Sequence, residues 1–313
     1  MISLERLGRN FGSHRAVENL TLTISPGEIV GILGPNGAGK TTTMRLLSGY
    51  LAPTSGSIKI HTLNMAEQTR KAQALIGYLP EGAPSYGDMT VKEYLTYIAK
   101  VRGLSKSECQ ESLVRVINEL ALNKVQNQLI ETLSKGFQRR VALAQAIIHD
   151  PKVLLLDEPT DGLDPNQKHH IRALIRQLAE NRIIIISTHI LEEVSALCTR
   201  CTILNDGRLV FDGEPQELIK QSKFHNAVTL EFKWDLGAHQ PWQDLDWQGI
   251  DGVHFIETQN QSITLFPKHG KAIFPQVYHF VQQHQLSLGQ ITVEKGRLED
   301  VFQHLTQAKV VAQ

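Results

Sequence analysis

Residues 28–49, EIVGILGPNGAGKTTTMRLLSG, place an apolar segment, a glycine-rich segment and a helix-forming segment in direct succession. The mainly apolar residues 28–33 predict a buried strand. GPNGAGKT, residues 34–41, matches the pattern G-x-x-x-x-G-K-[ST], in which backbone N–H groups close around phosphate at the start of a helix. That helix is predicted to run to about Ser48 and to end at Gly49. The succession predicts a phosphate-binding loop in an α/β domain.

The loop pattern gives each of its residue types a task at a nucleoside triphosphate. Glycines let the backbone approach the phosphates, Lys40 reaches the β and γ oxygens, and Thr41 ligates Mg²⁺. ATP and Mg²⁺ are therefore the expected cofactors. The predicted nucleotide contacts of this segment are Gly34, Pro35, Asn36, Gly37, Ala38, Gly39, Lys40, Thr41 and Thr42.

A second segment supplies the carboxylates that such a site needs. VLLLDE, residues 153–158, is an apolar strand that ends in two acidic residues. We expect Asp157 to hold Mg²⁺ through water and Glu158 to polarise the attacking water. An acidic pair after an apolar strand is a weak signal alone, because many such pairs merely end a strand in solvent. Its order and distance after the phosphate loop make the signal strong.

Strands and helices alternate along most of the chain. A mostly helical section at about 82–132 is followed by the strands VLLLD and IIIIST with helices between them, and CTILNDGRLVFDG, residues 201–213, is predicted to form a hairpin. The alternation predicts a largely parallel sheet covered on both faces. We expect one domain over residues 1–225, with a helical subdomain at about 82–135, and a C-terminal α+β accessory domain over residues 226–313.

The composition limits the classes of function. Lys plus Arg and Asp plus Glu both number 32, and the pI is about 7.2, so the chain lacks the overall basic charge of a nucleic-acid binder. The three cysteines are too few for a disulfide framework, and no apolar run is long enough to span a bilayer. We therefore expect a cytoplasmic protein, and any work at a membrane requires another chain to cross it.

The motifs, in this order, resemble those of the nucleotide-binding subunit of an ABC transporter over residues 2 to about 220. In that family the segment matching LSKGF, residues 133–137, is the signature motif, usually LSGGQ, which binds the γ-phosphate of ATP held by the opposite subunit. The resemblance implies that Ser134 and Gly136 contact ATP on a second protomer. Lys135 and Phe137 replace the usual glycine and glutamine.

Other positions complete the site that this resemblance implies. Phe11 matches the aromatic residue that stacks on adenine, and His189 matches the switch histidine at the γ-phosphate. Asp164 in DGLD matches a loop that acts across the dimer. Glu81 in YLPEGAP stands where the family usually has a glutamine that coordinates Mg²⁺, and a carboxylate can also ligate this metal. The implied catalytic residues are Glu158 and His189, and the implied metal ligands are Thr41, Glu81 and Asp157.

YLPE, LSKG and LEDVF, residues 298–302, occur together in the branch of the family that resembles ABC-2-type exporter ATPases, including those of gliding motility and drug resistance. This resemblance implies an ATPase that pairs with a second copy or a related subunit and drives a separate transmembrane permease from the cytoplasmic face. One alternative is a nucleotide-gated regulatory module that binds ATP with little turnover. Another is a soluble ABC ATPase acting on ribosomes or DNA, which the neutral charge disfavours.

Overall fold

The segment Ile29–Leu33 forms a buried strand inside a six-stranded sheet. The computed structural model describes residues 1–82, 86–233, 241–259 and 261–307, and the chain divides into two units, Met1–Gly213 and Glu214–Gln313. The strands of the first unit, numbered along the chain, are β1 (Ile2–Phe11), β2 (His14–Ile24), β3 (Ile29–Leu33), β4 (Ser55–Ile60), β5 (Leu63–Asn64), β6 (Ile76–Leu79), β7 (Val153–Asp157), β8 (Ile183–Ser187), β9 (Arg200–Asn205) and β10 (Arg208–Gly213). Its helices are α1 (Lys40–Leu47), α2 (Thr69–Ala74), α3 (Val91–Val101), α4 (Lys106–Glu119), α5 (Lys135–Ile147), α6 (Pro165–Ala179) and α7 (Leu191–Leu197).

The six-stranded sheet has the order β10-β9-β3-β8-β7-β6. Neighbours from β9 to β6 pair in parallel. Strand β10 joins antiparallel to β9 through a turn in which Asp206 and Gly207 have φ of 49° and 76°. The predicted parallel sheet and the predicted hairpin are therefore confirmed. A separate antiparallel sheet has the order β2-β1-β4-β5.

The adjacency of β3, β8 and β7 positions the predicted chemistry. The carboxyl ends of parallel strands meet at one edge of a sheet, where ligands of open α/β sheets bind. The phosphate loop follows β3, His189 follows β8, and Glu158 follows β7. Residues far apart in the sequence thus arrive at neighbouring strand ends.

Successive side chains of a buried strand point to opposite faces of the sheet and belong to two different apolar clusters. Leu154 and Leu156 of β7 belong to a cluster that includes residues of α3, α4 and α5, whereas Val153 and Leu155 belong to a cluster that includes α1 and the antiparallel sheet. Helices α3 and α4 lie within the helical section predicted at about 82–132, and each begins at a capping box. Both faces of the central sheet are thereby covered, as predicted.

The second unit is built around a four-stranded antiparallel sheet with the order β12-β13-β11-β14. Its core contains Trp242 and Trp247, and the Trp247 Nε1–H donates to the Trp242 carbonyl over 2.7 Å. The elements of this unit are α8 (Pro215–Lys220), β11 (Val228–Phe232), β12 (Val253–Gln259), β13 (Ser262–Pro267), α9 (Phe274–Gln283), β14 (Leu288–Val293) and α10 (Leu298–Gln307).

The division between the units falls after Gly213, ahead of the boundary expected at residue 225. A contact that the composition does not show joins the segment before residue 225 to the C-terminal helix. The Asp300 carboxylate of α10 accepts hydrogen bonds from the Ser222 hydroxyl, over 2.9 Å, and from the Lys223 N–H, over 3.0 Å. The segment just after α8 is thereby fixed to the C-terminal helix. Among the described residues, no helix combines the length and the apolar character that a bilayer crossing requires.

Candidate functional site

The glycines of the phosphate loop are required by close backbone approach. A Cβ atom on Gly39 would lie 2.4 Å from the Ala16 carbonyl oxygen, and one on Gly34 would lie 2.3 Å from the Leu204 carbonyl oxygen. Gly39 also has a left-handed φ of 102° and directly precedes α1. The loop therefore turns sharply into the N-terminus of α1, where free N–H groups and the helix dipole favour an anion.

The Lys40 side chain folds back over this loop. Its Nζ donates to the Gly34 carbonyl over 2.8 Å and to the Pro35 carbonyl over 3.1 Å. Burial lowers the pKa of Lys40, and the nearby charges of Glu158, Asp157 and Glu81 oppose that shift. The cation is thus held between the loop and the acidic strand ends, where a phosphate group would meet it.

An open cavity of about 240 Å³ lies beside the loop. Phe11 contributes to it with a ring that is 45% exposed, and the Arg9 guanidinium lies 4.7 Å from the ring centroid. Sequence reasoning missed Arg9 and two lining residues, His14 and Ala16, because none belongs to a motif. The full lining is Phe11, His14, Ala16, Asn36, Gly37, Gly39, Lys40, Thr41 and Thr42.

Asp157 ends β7 opposite Ser187, the last residue of β8. The Ser187 hydroxyl donates to Oδ1 of Asp157, whereas Oδ2 is buried and has no hydrogen-bond partner among the described residues. Burial raises the pKa of Asp157, and the hydroxyl of Ser187 opposes that shift. A buried carboxylate oxygen with no partner is a fitting ligand for a hard divalent cation, which would supply the missing interaction.

Glu158 and His189 are brought into direct contact. His189 Nδ1 donates to Glu158 Oε1 over 2.9 Å, and Glu158 Oε2 is buried with no hydrogen-bond partner in the part of the chain that the structure describes. The His189 side chain is largely exposed, whereas that of Glu158 is largely buried. One carboxylate oxygen is therefore oriented by the histidine, while the other is buried and unpaired among the described residues.

A buried pair that the sequence did not reveal fixes the turn around His189. The Thr188 hydroxyl donates to Glu193 Oε2 over 2.7 Å and accepts from the Ile190 N–H over 3.1 Å. Glu193 is almost fully buried, and this burial raises its pKa. Both residues flank the histidine in sequence, but a glutamate in an amphipathic helix gives no signal that it points inward.

Glu81 is exposed and acts electrostatically on both Lys40 and Asp157. The structure therefore brings the predicted metal ligand into the neighbourhood of the acidic strand ends. Residues 83–85, which follow it in YLPEGAP, lie outside the described residues.

The signature segment lies elsewhere. Ser134 is exposed at the start of α5 without a capping hydrogen bond from its side chain, and Gly136 is buried against Gln167. Neither Ser134 nor Gly136 is among the described residues that line the cavity beside the phosphate loop. Lys135 is exposed, and Phe137 packs against the apolar cluster of the helical section.

A phosphate loop, an acidic strand end and a histidine at one edge of a parallel sheet define a P-loop ATPase. The ABC transporter family matches residues 17–161 of the chain. The Nod factor export ATP-binding protein I of Paraburkholderia xenovorans is 36% identical over 219 residues, which cover 70% of this chain and 72% of that protein. The chain belongs to the ATP-binding proteins of ABC transporters, and it is an ATPase.

Two further similarities extend this result. The linearmycin resistance ATP-binding protein LnrL of Bacillus subtilis is 29% identical over 311 residues, covering 98% of both chains. The solved structure of cbiO1 from Clostridium perfringens, part of the ABC transporter complex cbiONQ, has a TM-score of 0.64 and 27% identity, covering 70% of this chain and 90% of that one. The predicted family and the predicted fold class are confirmed.

Proposed function

We propose that the chain is the ATP-hydrolysing subunit of an exporter, that it closes with a second copy or a related subunit around two ATP molecules, and that it drives a separate membrane permease. The convergence of Lys40, Asp157, Glu158 and His189 at adjacent strand ends carries this proposal. The same convergence argues against a regulatory module with little turnover, because such a module needs no oriented base. Export is supported by the similarity to a Nod factor export protein.

The nucleotide would bind across the phosphate loop and the cavity beside it. Phe11 offers a ring face to the adenine, the loop N–H groups and Lys40 hold the phosphates, and Thr41 and Thr42 line the same space. Thr41, Asp157 and Glu81 are the residues suited to holding Mg²⁺. When bound, Mg²⁺ neutralises charge on the β and γ oxygens.

Glu158 supplies the base for hydrolysis. Its Oε2 would accept a hydrogen bond from the attacking water and take its proton as the water oxygen bonds to the γ-phosphorus and the bond from that phosphorus to the departing ADP oxygen breaks. His189 holds Oε1 and so fixes the direction in which Oε2 points. The His189 side chain is largely exposed and would contact the γ-phosphate from outside the sheet edge.

A second protomer would complete the site through Ser134 and Gly136. The free Ser134 hydroxyl and the N-terminus of α5 form a donor set suited to a γ-phosphate, yet they do not line the cavity of their own chain. A head-to-tail pair of copies would give this donor set a ligand, because each copy then offers its signature segment to the nucleotide bound by the other.

The permease is proposed to dock between about Gly82 and Leu104, in part outside the described residues. The ring of Tyr86 lies 6.2 Å from that of Tyr94 and 5.8 Å from that of Tyr97. Tyr86 is 55% exposed and Tyr97 is 43% exposed, so this aromatic group presents apolar surface to a partner. Docking here would place the ATPase on the cytoplasmic face of the membrane. The equal numbers of basic and acidic residues give no support to nucleic-acid binding.

Mixed dimers test the shared site. A Ser134→Arg chain paired with a Lys40→Ala chain would contain one site with both lesions and one with neither. We expect hydrolysis that neither parent homodimer shows, measured as phosphate release after mixing. Mixed dimers that form but stay as inactive as both parents would contradict the shared site.

A further inference from the structure

Arg139 connects the signature helix to the catalytic loop of the same chain. It lies in the second turn of α5, and its Nη2 donates to the Glu158 carbonyl over 3.1 Å and to the Asp161 carbonyl over 3.4 Å. Ser134 and Gly136, proposed to touch the second copy's ATP, lie one turn earlier on the same helix. The Arg139 side chain thus connects the helix that carries the signature segment to the loop that begins at the proposed catalytic base.

The backbone of Glu158 has an unfavourable conformation that hydrogen bonds must stabilise. Its φ is 48°, in the left-handed region that non-glycine residues rarely adopt and that costs on the order of 1 kcal/mol or more. The Glu158 N–H donates to the Ser187 carbonyl over 3.0 Å, and the Glu158 carbonyl accepts from the Asp161 N–H over 3.2 Å as well as from Arg139. Since the side chain starts from this backbone, its direction depends on these bonds.

A second contact joins the same two regions. Gly136 of α5 lies so close to α6 that a Cβ on it would be 3.0 Å from Gln167 Cδ. The Gln167 N–H in turn donates to the Asp164 carboxylate over 2.9 Å. The turn from Glu158 to Asp164 therefore contacts α5 through Arg139, and the start of α6, to which Asp164 is bonded, contacts α5 through Gln167.

Arg139 is a partly buried cation surrounded by carboxylates. Burial lowers the pKa of Arg139, and the carboxylates of Asp161, Glu158, Glu193 and Glu81 act against that shift. The guanidinium therefore stays protonated and donates charge-assisted hydrogen bonds to the two carbonyls.

We propose that Arg139 is a positioning residue that couples the two ATP sites: contact of α5 with the second copy's ATP is transmitted through Arg139 to the backbone of Glu158, which then directs its carboxylate at the chain's own ATP. This inference rests on the proposed function. It assigns to Arg139 an effect on hydrolysis and none on nucleotide binding, because its hydrogen bonds go to the loop after β7 and not to the phosphate loop after β3.

Arg140 provides a matched control. It is the next residue on α5, it is also partly buried, and its Nη1 donates to the Leu120 carbonyl over 3.2 Å. Its guanidinium lies 5.8 Å from the centroid of the Phe137 ring. Arg140 thus makes comparable contacts that stay within the helical section.

The experiment compares full-length wild type with Arg139→Met, Arg139→Lys and Arg140→Met. Methionine keeps the apolar stem but removes the donors, and lysine restores one charged donor. We expect Arg139→Met to lower kcat by about 10-fold or more while KM and the Kd for ATP change by less than about 2-fold. Arg139→Lys should recover part of kcat, and Arg140→Met should keep the wild-type kcat.

Thermal unfolding of each variant identifies a loss of activity that comes from a weaker fold. The proposal is overturned if Arg139→Met hydrolyses ATP like wild type, or if lysine gives no recovery in a protein whose Tm is unchanged. An equal loss of kcat in Arg140→Met would also overturn it. A wild-type chain that binds ATP without hydrolysing it would instead refute the proposed function, and the coupling role would be refuted with it.

Discussion

Replacing Glu158 with glutamine tests the catalytic assignment most directly. Glutamine has nearly the same shape, and its carbonyl oxygen can still accept the hydrogen bond that His189 Nδ1 gives to Glu158 over 2.9 Å. The buried Oε2, which has no partner, would become an amide NH₂ that cannot take a proton. The substitution therefore removes the base and leaves the surrounding geometry in place.

The expected loss follows from the size of general-base catalysis. A positioned base contributes roughly 10²-fold to 10⁴-fold, which corresponds to about 2.7–5.4 kcal/mol in the activation free energy. We expect kcat for ATP hydrolysis to fall by at least about 10²-fold while the Kd for ATP stays close to that of wild type. ATP should then hold the dimer closed, which size-exclusion chromatography with ATP would detect.

Glu192→Gln is the matched control. Glu192 lies close to His189 in sequence, but it is largely exposed and its carboxylate pairs with Arg172 over 2.9 Å. We expect its kcat to match wild type, since exposed ion pairs contribute little. Full turnover by Glu158→Gln would show that another group activates water, and an equal loss in ATP affinity would show that Glu158 acts in binding.

Glu81→Gln should raise the Mg²⁺ concentration needed for half-maximal hydrolysis and improve nucleotide binding without metal, since a carboxylate near Asp157 attracts Mg²⁺ and repels phosphate; identical Mg²⁺ titrations would refute this. Asp157→Asn should abolish hydrolysis yet raise the metal-free Tm at pH 7 by roughly 2–4 °C. Burial raises the folded pKa of Asp157 above its ordinary 3.8, so wild type loses stability relative to the variant as pH rises from about 3.8 through the folded pKa, and a difference in Tm that stays the same from pH 3.5 to pH 8 would contradict the assignment. Cysteines at Tyr86 or Asp88 should crosslink to the permease, and crosslinks found only on the second unit would place the docking surface elsewhere.

Local patterns in the sequence predict a large part of this molecule. The strand, loop and helix at residues 28–49 form β3, the phosphate loop and α1, because apolar content, glycine spacing and helix propensity act over a few residues. The parallel direction of β3, β8 and β7 follows from the alternation of strands and helices, whereas their order in the sheet was not predicted. The contact between Glu158 and His189 depends on that order, because it requires β7 and β8 to be neighbours.

Contacts that depend on side-chain direction were not predictable. Arg139 lies two residues after the signature segment, and no sequence pattern shows that its side chain donates to two carbonyls. The Thr188 and Glu193 pair is hidden in the same way, since a glutamate in an amphipathic helix normally faces water. The hydrogen bond from Ser222 to Asp300, which lies within the second unit, joins residues far apart in the chain.

Several buried polar atoms without partners lie where a ligand would bind. A folded chain pairs nearly all of its buried polar groups, so each exception has a cost that needs an explanation. Among the described residues, eight buried side-chain atoms have no hydrogen-bond partner, and four of them, Asp157 Oδ2, Glu158 Oε2, Thr160 Oγ1 and Glu193 Oε1, belong to residues at or after the carboxyl ends of β7 and β8. Glu158 adds a left-handed backbone at the same place. These costs coincide at one edge of the sheet, next to Lys40 and the phosphate loop, which is where metal, water and nucleotide would supply the missing interactions.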